Sequence, residues 1–171
     1  MASIINVDNI RAVGSSTTGI TVDSSGRVLF PQIPCACVSL STSNTQDGTN
    51  PYTTIDTDIL FDVVAINQGS VYNSSNGRFT APIAGIYEFS YTYLKDDANS
   101  VTYVDVFKNG SLHAGPGGRA YDYAANLYSL ASMKLLINLA ANDYLTLRLD
   151  TGGIHLDSSG FYHSIVFKLV G

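Results

Sequence analysis

Gly77-Arg78-Phe79-Thr80-Ala81-Pro82-Ile83-Ala84-Gly85-Ile86-Tyr87-Glu88-Phe89 decides how the rest of the chain is read. A short apolar strand runs into a proline, which has no N–H to give a sheet and so ends it. Gly85 restarts the chain into residues 86–94. There Tyr87, Phe89, Tyr91 and Tyr93 alternate with Glu88, Ser90 and Thr92, and Ile86 and Leu94 end the second row. Alternation with period two marks a half-buried strand, here with an aromatic inner face. Strand, break and strand in succession make this a β protein whose core is built on rings.

The flanking sequence agrees. Asn76-Gly77 between Val71-Tyr72 and Arg78-Phe79 is a hairpin dipeptide, and Asn109-Gly110 closes the alternating strand Val101–Lys108 in the same way. Leu145, Leu147 and Leu149 alternate with Thr146 and Arg148. The last strand, Phe161–Val170, puts Phe161, His163, Ile165, Phe167 and Leu169 on one face. Cys35–Ser41 opens the series, residues 42–57 form a polar loop, and Ile59–Ile66 is a nearly continuous apolar strand interrupted by Asp62. Leu127–Ala140 would make a helix by propensity. It also places Ala131, Met133, Leu135, Ile137 and Leu139 on one strand face, and Asn142-Asp143 after it reads as a hairpin turn into Tyr144–Leu149, so we read it as strand. Roughly eight to ten short strands separated by regular turns make an all-β sandwich or jelly roll.

Residues 1–34 differ. The weak β signals Ile4–Val7, Gly19–Val22 and Arg27–Phe30 are separated by the polar turns Gly14–Thr18 and Asp23–Gly26, and Pro31 and Pro34 mark the boundary. Such pieces cannot bury a core alone. They suit an attachment or intertwining segment ahead of a knob domain at 35–171.

A length of 171 residues fits one domain and a short extension. A net charge of −5 with nine scattered basic residues argues against nucleic acid, which needs clustered Lys and Arg. No apolar run reaches the length of a membrane span, so membrane insertion is not expected. Met1-Ala2-Ser3-Ile4-Ile5 has neither the basic nor the apolar region of a secretory leader. The sequons at Asn73 and Asn109 therefore carry no weight. Cys35 and Cys37 share a strand face. Bridging neighbours so close is strained, which leaves reduced, packed thiols or bridges between subunits.

The pattern G-x-F-x-x-P-x-x-G-x-Y-x-F, carried by Gly77, Phe79, Pro82, Gly85, Tyr87 and Phe89, resembles the signature of the globular head of complement component one-q, a jelly roll related to tumour necrosis factor. The likeness extends over about residues 33–170, through Phe61, Asn67, Tyr72, Lys108-Asn109-Gly110 and Leu139–Leu145. Asn142 replaces a usual glycine, and His163-Ser164-Ile165-Val166-Phe167 departs from the family's final strand, with Ile165 at a glycine position. The resemblance implies a jelly roll of about ten antiparallel strands that forms a homotrimer through one sheet. It implies a binding or structural protein, not an enzyme. Ile20–Val28 looks like the leaders before trimeric tips of bacteriophage fibre and virion proteins. The expectation is accordingly a virion protein assembled in the host cytoplasm. Residues 1–34 would hold other virion proteins, and the knob, on a tail fibre or capsid appendage, would touch a host surface glycan or protein. Two alternatives stand beside it: a capsid decoration protein with a purely structural role, and a cytokine-like or lectin-like soluble ligand.

Three groups of residues are candidates for a site. His113, His155 and His163 lie far apart and in no catalytic motif, and Asp150 with Asp157 is only a loose carboxylate pair for a glycan-cleaving tip. By the resemblance, Asp96 and Asn109 match positions where some family members hold calcium. Composition alone reads Lys95-Asp96-Asp97 as a solvated acidic turn, and no other cofactor is expected. The glycine-rich stretch 115–123 presents Arg119, Tyr121, Asp122 and Tyr123, residue types that bind sugars and protein surfaces, and Asn50-Pro51-Tyr52 is a smaller candidate.

Overall fold

The computed structural model describes residues 9–10, 20–29, 33–44, 46–47, 50–96, 101–123 and 128–171, which fall into two units, 1–33 and 34–171. In the first unit β1 (Asn9–Ile10), β2 (Ile20–Val22) and β3 (Val28–Leu29) pair antiparallel in that order. The Asp23 carboxylate closes the β2–β3 turn by accepting the N–H groups of Ser25 and Arg27, each at 2.9 Å, and the Arg27 guanidinium at 2.7 Å. The expected strand at Ile4–Val7, the turn at 14–18 and Pro31 lie outside the described residues.

In the second unit the strands are β4 (Cys35–Ser39), β5 (Val63–Gln68), β6 (Tyr72–Asn73), β7 (Arg78–Thr80), β8 (Gly85–Leu94), β9 (Thr102–Lys108), β10 (Ser111–Leu112), β11 (Arg119–Asp122), β12 (Leu130–Leu139), β13 (Tyr144–Thr151) and β14 (Ser164–Leu169). All their pairings are antiparallel. One sheet runs β12-β8-β14-β4-β5; the other runs β10-β9-β13-β7-β6, with β11 also on β9. Packed face to face, they make the jelly-roll sandwich expected from the alternating strands.

The inner face of β8 supplies Tyr87, Phe89, Tyr91 and Tyr93, all fully buried. Tyr87 stacks on Phe167 of β14 with centroids 4.8 Å apart, and Phe79 of β7 meets Phe89 edge-on at 5.2 Å. The first pair braces neighbouring strands of one sheet and the second joins the two sheets, which is why the quoted stretch governs the fold. Its first glycine is obligatory: Gly77 sits at φ 68°, and a Cβ there would lie 2.5 Å from the Ile59 carbonyl oxygen.

β12 is a strand throughout. It pairs with β8 from Leu130↔Leu94 to Leu139↔Gly85, and this ladder overrides its helix propensity.

Two strand expectations need correction. The expected strand at Ile59–Ile66 begins at Val63. Ile59 instead donates its N–H to the Leu147 carbonyl at 2.8 Å, and Phe61 exchanges two bonds with the Tyr72 hydroxyl. Phe161 is not on the face of the last strand. The Asp157 carboxylate takes the N–H groups of Ser159 (2.6 Å) and Phe161 (2.9 Å), which turns the chain and leaves Phe161 85% exposed. Ile165, at the family's glycine position, is fully buried.

Candidate functional site

Strand register gathers one polar, aromatic surface on the outer face of the second sheet. Val104 and Val106 of β9 point into the core, so Tyr103, Asp105 and Phe107 point out. Across β9, Arg119 of β11 faces Asp105 and Tyr121 faces Tyr103; on the other side Arg148 of β13 faces Asp105. The Arg119 guanidinium gives Asp105 two bonds of 2.5 Å and reaches Asp150 at 3.0 Å. It also lies over the Tyr103 ring, 4.4 Å from its centroid. The Asp105 hydrogen bond is the main cause that pushes the Arg119 guanidinium still further above its ordinary pKa. Nearby, Arg148 covers Phe107 at 4.0 Å and Arg78 covers Tyr144 at 4.1 Å. Asp58 holds Arg148 at 2.6 Å.

Tyr103, Tyr121 and Tyr123 form a cluster with centroids 5.3 to 6.5 Å apart and planes 70° to 77° apart. The Tyr103 and Tyr123 hydroxyls are hydrogen-bonded, the main cause that raises the Tyr103 phenol. Tyr121 and Tyr123 are 59% and 64% exposed. Beside the cluster lies a cavity of about 210 Å³ walled by Asp105, Leu112, His113, Gly115, Gly118 and Arg119. A Cβ on Gly118 would come within 2.1 Å of the His113 carbonyl oxygen, so only glycine allows this wall. Arg119 therefore touches both the rings and the cavity.

The other expected residues lie elsewhere. Asp122 alternates with Tyr121 and Tyr123, is half-buried and accepts the Ser129 hydroxyl, so it ties β11 to the start of β12. Asp96 pairs with His155 Nδ1 at 2.8 Å beside the start of β9. Asn109, past the end of that strand, donates to Asp143 at 2.7 Å and accepts from the Tyr144 N–H at 2.9 Å. A seven-residue strand of about 20 Å lies between Asp96 and Asn109, so one chain does not bring them to a shared site. No three His, Cys, Asp or Glu side chains gather as a metal cluster among the described residues. Asn50 exchanges two bonds with the Leu156 backbone and Tyr52 is fully buried, which makes that candidate part of the framework. His113 lines the cavity, and Asp150 and Asp157 serve Arg119 and a turn respectively.

The sequence reading missed Tyr103, Asp105, Phe107 and Arg148. Their signal was present in the outward half of the Val101–Lys108 alternation, but only the register shows which strands stand beside it.

The outward face of the first sheet has a different character. Ile86 of β8, Leu130 and Leu136 of β12 and Ile66 of β5 are exposed there. The thiols Cys35 and Cys37 are free and half-buried on β4. Glu88 sits among them between Lys134 (2.9 Å) and Lys168 (3.4 Å).

A family model described as the C1q domain matches residues 41–167. Complement C1q tumor necrosis factor-related protein 3 of Mus musculus is 30% identical over 104 residues, 60% of this chain and 41% of that protein. Caprin-2 of Danio rerio is 28% identical over 128 residues, 72% of this chain and 13% of that protein. The chain thus spans about two fifths or less of these relatives. Among solved structures, the globular domain of zebrafish complement 1qA superposes with a TM-score of 0.58 at 12% identity, covering 79% of this chain and 94% of that one. Murine APRIL gives 0.60 at 12% identity, covering 81% and 99%. These structures share the fold. One expectation is corrected by the comparisons. The curated relatives include complement C1q tumor necrosis factor-related protein 3 of mouse and of human, so a virion location does not stand, nor do virion partners for residues 1–34.

Proposed function

The chain belongs to the C1q domain family, and from that premise we propose that it is a homotrimeric, cytokine-like or lectin-like binding module. Domains of this family and its tumour necrosis factor relatives are non-enzymatic, form homotrimers and bind receptors, and this chain is not an enzyme. Two surfaces divide the work. The outward face of the first sheet joins the copies, and the outer face of the second sheet, through Arg119, Tyr121 and Tyr123, meets the ligand. Three weak sites on one rigid body gain affinity together.

The observation that carries the reading is the unlike character of these two faces. Apolar Ile66, Ile86, Leu130 and Leu136 stand exposed on the outward face of one sheet whose inward face is packed along β8 and β12, the mark of a surface that is covered in the assembly. The opposite face is rich in Tyr and Arg, the residue types that dominate recognition surfaces. Light scattering on the full chain tests the reading. The expected mass is three times 18.3 kDa, and a monomer at micromolar concentration removes it.

A further inference from the structure

We propose that the Tyr103, Tyr121 and Tyr123 cluster, together with the cavity behind Arg119, is a binding site for a neutral pyranose, the terminal sugar of a glycan. This rests on the reading of the second sheet as the ligand face and names what that face takes.

A pyranose presents two kinds of surface, a patch of C–H groups on one ring face and a rim of hydroxyls. The site offers a counterpart to each. Tyr121 and Tyr123 expose 59% and 64% of their surface, so ring faces are open for the C–H patch. The rings do not need to be ordered by the ligand. Each meets its neighbours edge-on, the Tyr103 and Tyr123 hydroxyls are bonded to each other, and Tyr103 lies under Arg119.

The hydroxyl rim needs planar donors and acceptors at fixed positions. Arg119 and Asp150 supply them within the same patch. Asp105, only 6% exposed in its side chain, holds the guanidinium by two bonds. Those bonds and the one to Asp150 use Nε and Nη2, while Nη1 takes part in none of them. His113 adds an imidazole on the cavity wall.

Size and charge narrow the ligand. A cavity of about 210 Å³ is smaller than the roughly 300–1,000 Å³ of sites for drug-sized molecules and suits one ring. A protein partner would need a contact of about 800 Å² per side, whereas the site is a concave spot beside a few rings. Two carboxylates, Asp105 and Asp150, surround one guanidinium, so the spot is negative and repels sialic acid, uronates and sulfated sugars.

Saturation-transfer NMR on the full chain tests this with methyl β-D-galactopyranoside, methyl β-D-glucopyranoside and the methyl glycoside of N-acetylneuraminic acid, each at about 10 mM to reach weak monosaccharide binding. Saturation of the tyrosine rings is expected to pass to the C–H face of at least one neutral pyranoside. The Tyr121→Ala/Tyr123→Ala double variant is expected to weaken that transfer at least tenfold. Phe161→Ala, an exposed ring elsewhere, is expected to keep it. No transfer to either neutral pyranoside assigns the rings to a protein surface and overturns the proposal. Transfer that survives the double variant, or that favours the neuraminide, also overturns it. The mass of the same samples separates the two readings. A trimer without sugar transfer loses only the sugar, and a monomer loses the trimeric module whatever the sugars do.

Discussion

His163 is a packed side chain whose protonation the fold resists. It is buried, its Nε2 bonds the His155 carbonyl at 2.5 Å, and its Nδ1 has no partner among the described residues. The neutral ring with the proton on Nε2 fits that environment, since Nε2–H donates to the carbonyl. Burial is the largest influence and lowers the imidazole from 6.5; the His155 carbonyl, Asp157 and Asp62 oppose it, and His155 adds to it. The sign of the pH effect follows. Above about pH 6.5 the ring is neutral folded or unfolded and stability does not depend on it. As pH falls through that value the unfolded chain takes up the proton first and stability drops, levelling once the folded ring is also protonated. Urea midpoints are expected to fall between pH 7.5 and 5.5. His163→Gln is expected to flatten the slope in that window. An equal slope in the variant assigns the effect to another group.

At the scale of elements, legibility followed the number of residues that vote on one pattern. β8 was plain because a ten-residue alternation has one satisfactory burial; β12 was ambiguous, since its composition also suits a helix, and the ladder with β8 decides it. The Asn109-Gly110 turn was plain because both residues adopt positive φ, 51° and 80°, as a two-residue hairpin requires. The strand at 59–66 was misplaced because an apolar run carries no period. Ile59 and Phe61 are buried by loop contacts, while Ile66 on the edge strand β5 faces outward. Phe161 was misjudged because a side chain, Asp157, captured the backbone that would have extended the strand. Of the residues grouped in 115–123, Arg119, Tyr121 and Tyr123 share the surface proposed for binding, whereas alternation turns Asp122 inward. Tyr103 and Asp105 became visible only with the register. Turn chemistry supplies the prediction at this scale. Asn142 stands in the β12–β13 turn at φ 70°, where the family's usual residue is glycine and where Asn is tolerated. Asn142→Val puts a β-branched residue there and is expected to lower stability by about 1–2 kcal/mol in a urea titration, with the fold's circular dichroism unchanged. No loss would mean that the turn changes form to admit valine.

For the whole molecule the proposed trimer raises the question of how three copies of a small sandwich become one stable object, and Leu136 is the residue through which to ask it. It lies on the outward face of β12, opposite Glu88 of β8, and is 64% exposed in the single chain. Covering a leucine contributes about 1.5–3 kcal/mol, and one interface residue repeated three times therefore contributes about 5–9 kcal/mol per trimer. A carboxylate in its place loses that burial and carries an unpaired charge into the contact, beside a Glu88 whose own charge is already shared by Lys134 and Lys168. Leu136→Asp is expected to convert the trimer to monomers in light scattering at micromolar concentration. The jelly roll itself should survive, because Leu136 contributes nothing to the inner core between the sheets. Tyr121→Ala, on the other sheet, is expected to leave the mass untouched. The two variants thus separate assembly from recognition. If Leu136→Asp remains trimeric with an unchanged dissociation midpoint on dilution, the outward face of the first sheet is not the surface that joins the copies. A Tyr121→Ala variant that falls to monomers would place the joining surface on the second sheet instead.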